Sequence, residues 1–561
     1  MTSINSKRRI GTVAKGLFAG IAAIIAIASW GFWELSRAAP ARSTSLPLQL
    51  GDYPVKRGEM QFAHGDLGVL DLDTLETSAL PWTVLSTALA LDQARGDADQ
   101  VSAGLVEQAF RAVGFLYPEG PAGEGAANGS PRAPLGLTLG RVERLMPPLR
   151  VTAANLGCAS CHAGVTYGAD GRPMPQRPAF GMPNSSLDLE AYAQLVYRAL
   201  KRAFADEAVL WRAIDRLHPD LTLRERLSLR WLVLPRARAR MAELAGQGDE
   251  PLPFSNGAPG LTNGVAALKF RLGEVEGYRL AGAGYVSIPD LADRGFRSAL
   301  LADGAYAPVG RPRFVARSAE QAAAADPAEL ARIGSFFTVP SMGMTPERAE
   351  AAIPALTDIA RFLATYRPQR FPGTIDRARL PLGQATYARA CAACHGSYDG
   401  DLDRPRLLSF PNWAGDVGTD MSRARAFDGS LAGRVNGTVY RRHLTAEATG
   451  KLAAPLLSGV WASAPYFTNG SVPTLQHLLE PGTRPERFMV GGHRLDFTRV
   501  GLALAPDASG LWRDLGDYQP FSRAVEIDTR KPGFSNRGHD REVADLTAEE
   551  RQALIDYLKL L

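Results

Sequence analysis

Two pentapeptides concentrate the reactive side chains of this chain. Residues 158–162 read CASCH and residues 391–395 read CAACH. Between them they use all four cysteines, Cys158, Cys161, Cys391 and Cys394, and each ends in a histidine, His162 or His395. Three chemistries employ such a cluster. Two C-x-x-C pairs can close one all-thiolate zinc site, but both adjacent histidines are then left without a role. A thioredoxin-like dithiol switch also uses C-x-x-C, but in a βαβ context that this sequence does not offer. Covalent haem accounts for every residue. One helical turn presents two thiols, three residues apart, to the two vinyl groups of a porphyrin, and the next residue falls beneath the iron. The spacing therefore points to two covalently bound haem c groups, with His162 and His395 as proximal ligands.

A second axial ligand would be histidine or methionine. The remaining histidines are His64, His218, His443, His477, His493 and His539. His539 stands out because it lies in KPGFSNRGHD, a Gly-rich loop before the last helix, which can drape over a haem edge. His477, in PTLQHLLEP, reads as structural. His443 follows Arg441 and Arg442, which can pair with propionates if they lie near haem. Met421 and Met489 are the alternatives in the second half. For the first haem, His218 looks like a helix end, and Met174, Met182, Met342 and Met344 are the methionines within reach in sequence. That scarcity suggests an iron without a strong protein ligand on its far side. No spacing singles out a catalytic acid or base.

Several elements must position these groups. Residues 99–117 look helical, and 117–136 form a Gly/Pro/Ala-rich loop leading to CASCH. Leu189, Tyr192, Leu195, Val196, Leu200 and Phe204 repeat at helical spacing within a helical region, 189–245. Residues 251–313 are rich in Gly and Pro and read as loops. Thr345 with Pro346 starts a helix that ends before RPQRFP. A helix runs into CAACH, and LTAEERQALIDYLKLL closes the chain with a Thr547/Glu550 capping box and an apolar face of Leu554, Ile555, Leu558 and Leu561. At the N-terminus, Lys7, Arg8, Arg9 and Lys15 precede an uncharged run, 16–33. As a helix it would be roughly 27 Å long, enough for a bilayer core, with Trp30 and Trp33 at its outer end. A cleaved signal peptide, cut after SRA, is the competing reading.

The fold class expected is mainly α: two cytochrome c-like haem domains with long loops, plus an N-terminal transmembrane helix. The boundaries are 1–40 for the anchor or signal, 41–140 for an extension and linker, 141–370 for the first haem domain and 371–561 for the second. The expected location is the bacterial inner membrane on its periplasmic side, or the periplasm if the N-terminus is cleaved. The chain has 561 residues, 45% of them hydrophobic, and a formal charge of +5. This mild positive charge is spread along the chain and comes with no nucleic-acid-binding motif, so nucleic acid is not an expected partner.

GVWASAPYFTNGSVPTLQHLLEP, residues 459–481, followed by RPERFMVGG, resembles the APYxHNGSVPTL signature of the bacterial dihaem cytochrome c peroxidase superfamily. GFSNRGHD before the last helix resembles its rubber-oxygenase-like branch. The resemblance extends over roughly residues 140–561. It implies that His539 is the distal ligand of the haem on Cys391 and Cys394, and that the N-terminal haem, above His162, is the reactive one. Two departures stand out. Thr468 occupies the usual histidine position of the signature. The stretch 251–295, where an inter-haem aromatic is expected, has Phe254, Phe270, Tyr278 and Tyr285 but no tryptophan. The function expected is a haem-dependent oxidoreductase, peroxidase- or oxygenase-like, that activates peroxide or dioxygen at the first haem while the second transfers electrons. Its partner is a redox protein or a small-molecule oxidant. The alternative is a membrane-anchored dihaem electron carrier without substrate chemistry.

Overall fold

The structure is a computed structural model that describes residues 42–44, 54–65, 79–119, 130–144, 149–245, 254–274 and 284–561. Among the described residues 43% are helical and 15% lie in strands, a mixed helix–sheet fold. This corrects the mainly α expectation. The strands escape a sequence reading because most are two to four residues long, too short for alternation to register. The expected transmembrane helix finds no support either. Among the described residues no helix is long and apolar enough to cross a membrane, and the run 16–33 lies outside the described residues. The inner-membrane placement rested on that helix and falls with it.

The longest strands form an antiparallel hairpin, Leu137–Arg144 with Leu149–Leu156, that delivers the chain directly into CASCH. Leu80–Pro81 and Arg42–Thr44 flank it in a four-stranded sheet. Beside it lies a helical layer: Trp82–Gln93, Ala103–Ala112, Leu189–Ala203 and Glu207–Leu217 surround a core of Leu85, Leu89, Phe110, Leu195, Leu210 and Ile214. Asp188 and Asp206 cap the last two of these helices through their carboxylates. The region 189–245 is helical as expected but broken, with a π-helical turn at Leu229–Val233.

Strands also link residues on either side of 370. Tyr306–Pro308 pairs with Leu444–Ala446, and Arg317–Ser318 with Leu407–Phe410. A buried ion pair reinforces this seam: Arg423 donates to Asp303 at 2.7 Å, both side chains being almost wholly enclosed. The helix Leu380–Ala390, which runs into CAACH, packs on the terminal helix Ala548–Leu558. Gly383 lets the two backbones approach, since a Cβ there would lie 2.1 Å from the Ala553 carbonyl oxygen. The Thr547/Glu550 capping box starts that terminal helix, and Leu554, Ile555 and Leu558 are buried.

Candidate functional site

Each pentapeptide folds as a single helical turn, Cys158–His162 and Ala392–His395. The first turn is held from outside by its neighbours. Gly181 N–H donates to the His162 carbonyl at 2.7 Å, and Asn184 N–H donates to the Cys161 carbonyl at 2.8 Å. The Asn184 amide also donates to the Ser160 carbonyl at 3.1 Å. Gly136, with φ of 80°, lies so close that a Cβ would fall 1.9 Å from the Ser160 nitrogen. In the second turn, Cys394 and His395 N–H both donate to the Cys391 carbonyl, and Tyr387 Oη donates to the Gly396 carbonyl at 3.0 Å.

Both histidines are fixed by the same device. His162 Nδ1–H donates to the Pro289 carbonyl at 3.1 Å, and His395 Nδ1–H donates to the Pro455 carbonyl at 3.0 Å. A carbonyl only accepts, so each bond places the proton on Nδ1 and leaves the Nε2 lone pair for a metal. Burial, reinforced by the Arg294 guanidinium, pushes the His162 imidazole down to about 4. Burial lowers His395 as well. Both rings are thus neutral, as a ligand must be. The thiols move the other way: burial pushes Cys158 up to about 11, and Cys161 and Cys391 to about 12. A working dithiol switch needs a lowered thiol pKa. Among the described residues no group of three or more His, Cys, Asp or Glu side chains could hold a metal by itself, which removes the zinc reading there.

His539 faces His395. Their ring centroids are 6.2 Å apart and their planes differ by 24°. This is too far for ring-on-ring contact. Two imidazoles bound end-on to one metal have centroids about 6 Å apart, from about 2 Å of metal–nitrogen bond plus about 1 Å to each ring centre. The space between these histidines therefore fits one iron. His539 adopts φ of 60°, a conformation that costs an L-residue about 1–2 kcal/mol. Phe467, at φ of 67°, stacks on the His539 ring with centroids 5.6 Å apart and planes within 17°. Among the described residues His539 Nδ1 has no hydrogen-bond partner although it is buried, so stacking and backbone bonds hold the ring.

The segment 467–484 positions the His539 loop. The Asn469 amide donates to the carbonyls of Gly533 and Ser535 at 3.2 and 3.0 Å, and Ser471 Oγ donates to the Ser535 carbonyl at 2.9 Å. Arg484 is the central clamp. It donates to the carbonyls of His477 and Leu478 and to those of Asn536 and Gly538, all at 2.8–2.9 Å, and to Asp540 Oδ1 at 2.9 Å. Its guanidinium also lies 5.2 Å over the Phe467 ring. The sequence reading quoted the segment without finding this job.

Four of the other histidines have protein partners. His218 pairs with Ser86 Oγ at 2.9 Å, His443 with Glu350 at 2.6 Å, His477 with Thr474 Oγ1 at 2.8 Å and His493 with the Met489 carbonyl at 2.7 Å. Arg442 also pairs with Glu350. His64 ends the helix Pro54–His64, which packs against the CASCH turn. Met182, Met342 and Met344 are buried among apolar side chains, and Met174 lies in the strand Pro173–Phe180. Among the described residues no histidine ring pairs with His162 as His539 does with His395. Of the aromatics in the stretch 251–295, Tyr285 packs on Phe534 of the His539 loop at 4.8 Å. Tyr278 lies outside the described residues. The sequence reading also passed over Trp461, buried between Tyr167 and Phe371 and donating to the Gln369 carbonyl at 3.1 Å.

Two uncharacterized proteins of Sinorhizobium fredii, y4iM and y4iJ, are similar to this chain. They are 33% and 29% identical over 33% and 35% of it. The chain spans about half the length of these relatives, 46% and 41%. Residues 452–489, which include Pro455 and Arg484, match the family described as RoxA-like, cytochrome c-like. This part of the chain is thus cytochrome c-like, which supports a place for the protein among haem-binding redox proteins of the rubber-oxygenase-like kind.

Proposed function

We propose that the protein carries two haem c groups in unequal roles and works as a haem-dependent oxidoreductase of the dihaem peroxidase superfamily, in its rubber-oxygenase-like branch. Cys158 and Cys161 hold the first haem with His162 as proximal ligand. Cys391 and Cys394 hold the second, between His395 and His539. The observation that carries this reading is the asymmetry of the two histidines. His395 has an imidazole facing it across the width of one metal atom, while no described histidine takes that position opposite His162. A c-type haem supplies one-electron exchange and, where an axial position is free, activation of a small oxidant such as peroxide or dioxygen.

The protein's own residues do the rest. Pro289 and Pro455 keep the two imidazoles in the Nδ1–H tautomer and raise their basicity as ligands. Arg484, Asn469 and Ser471 hold His539 in place and so keep the second iron closed to exogenous ligands. Buried apolar side chains in and beside CASCH, among them Phe62, Ala159 and Ala163, keep water away from the first turn.

The test has two parts. Haem content per chain is measured as the pyridine haemochrome, and the reduced protein is titrated with carbon monoxide. Two haems, of which one binds carbon monoxide, are expected. Two haems with neither binding would leave a pure electron carrier.

A further inference from the structure

The two proximal histidines are distant in sequence, yet one strap touches the supports of both. It runs from Pro289 to Arg297, with sequence PDLADRGFR. At its start, Pro289 accepts from the His162 ring at 3.1 Å. Two residues on, Leu291 N–H donates at 2.8 Å to the carbonyl of Gly181, the residue whose own N–H holds the His162 carbonyl. The strap therefore grips His162 through both ring and backbone. Tyr366 Oη donates to Asp290 Oδ2 at 2.9 Å, and the Arg294 guanidinium donates back to the Asp290 carbonyl, which stiffens this end.

The far end grips the support of the other histidine. Ser458 Oγ donates to Asp293 Oδ2 at 2.5 Å, and Arg297 Nη1 donates to the Ala454 carbonyl at 2.6 Å. These two ties fall on either side of Pro455, the residue that accepts from the His395 ring. Asp293 adopts φ of 56°, a left-handed conformation that aims its carboxylate at the serine. Ser458 is buried. Next to it Gly459 packs so closely that a Cβ would lie 3.0 Å from Asp290 Oδ2, which leaves the 454–459 loop no slack against the strap.

We propose that this strap couples the two proximal histidines, with Asp293 and Ser458 as its positioning pair; the inference rests on the two-haem reading above. The strength of an Nδ1–H···O=C bond sets the basicity of the ligating imidazole and hence the potential of its iron. A change in the Asp293–Ser458 bond shifts the Pro455 loop and the strap together. It therefore alters the carbonyl bond at both histidines, although neither residue touches either ring.

The experiment is a spectroelectrochemical titration of the purified holoprotein and of Ser458→Ala, with haem content measured on the same samples. Wild type should show two haems and two one-electron transitions. In Ser458→Ala the reduced-to-oxidised ratio of both haems at fixed applied potential should change by roughly tenfold, the lower end of the effect of losing an outer-shell partner. That corresponds to ~59 mV for each one-electron couple. Ser458→Thr keeps the hydroxyl and should titrate as wild type. Arg297→Gln cuts the second tie independently and should also move both transitions, so the proposal stays testable if Ser458→Ala does not accumulate. Two haems with only one transition moved, or neither, overturns the coupling and leaves the two-haem reading intact. A single haem in wild type removes both.

Discussion

The imidazoles of His395 and His539 face each other with centroids 6.2 Å apart and planes within 24°. This pair is the most specific feature of the second site, and it makes a direct prediction. His539→Ala should free the far side of the second haem. Carbon monoxide bound per reduced chain should rise from about one to about two, since one axial ligand of two is removed. If binding stays at one, another residue closes that iron.

Arg484 supports this pair through backbone carbonyls, including that of Gly538 next to His539. Replacing it with alanine leaves four carbonyl oxygens without their donor. A loss of roughly 2–4 kcal/mol in urea unfolding is expected, because a buried acceptor left unpaired costs about 1–3 kcal/mol and some regain water. Arg484→Lys should recover less than half of it, since one ammonium cannot reach both the 477–478 and the 536–540 backbone. In both variants the second haem should gain the carbon monoxide reactivity of His539→Ala. Variants that unfold as easily as predicted but keep that haem closed would show that Arg484 stabilises the fold without positioning His539.

The two attachment turns are separable in sequence, so their haems should be lost separately. A Cys391→Ala/Cys394→Ala double variant should retain the first haem covalently, halving the haem-stained intensity per chain. Complete loss of covalent haem would mean that the first turn matures only after the second.

His218 gives a pH prediction of its own. Ser86 Oγ donates to the Trp82 carbonyl at 2.8 Å and so accepts from His218 Nε2–H at 2.9 Å; it is burial that disfavours a second proton on the ring. Burial pushes it down to about 4 from an ordinary 6.5. Between these values the unfolded chain takes up a proton that the folded one refuses, so stability falls as pH drops from about 6.5 toward 4. The full effect is at most about 3 kcal/mol. His218→Gln preserves a donor to Ser86 and should flatten that part of the stability–pH curve. An unchanged slope would assign the acid sensitivity to other groups.

The helical form of the two C-x-x-C-H turns was legible because the pattern is local. Three-residue spacing in one helical turn is all that two thioethers and an axial imidazole require. The approach of His539 to His395 was legible through its Gly-rich loop and the signature upstream. Pro289 and Pro455 were not, because each acts through a backbone carbonyl that any residue possesses. Arg484 was not, because its donors converge only after the helix Leu475–Leu479 and the 536–540 loop have come together. Nor was the sheet content. Leu137–Arg144 and Leu149–Leu156 form a regular hairpin, but Gly140 and charged residues in the first strand dilute its alternation. The broken helices of 189–245 match the expected type, since Leu195, Val196 and Leu200, members of the set at three- and four-residue spacing, are buried.

Gly136 carries a last consequence, one for descent. It sits 22 residues before Cys158 in the numbering, and its carbonyl accepts from Gly157 N–H at 2.6 Å. Any side chain there would collide with backbone, not with a movable neighbour. A lineage that keeps the CASCH turn in this setting must therefore keep glycine at 136, however freely the loop before it drifts. Where a related chain has lost that glycine, its first attachment turn must be seated differently, and such a chain can be picked out from its sequence before any cofactor is assayed.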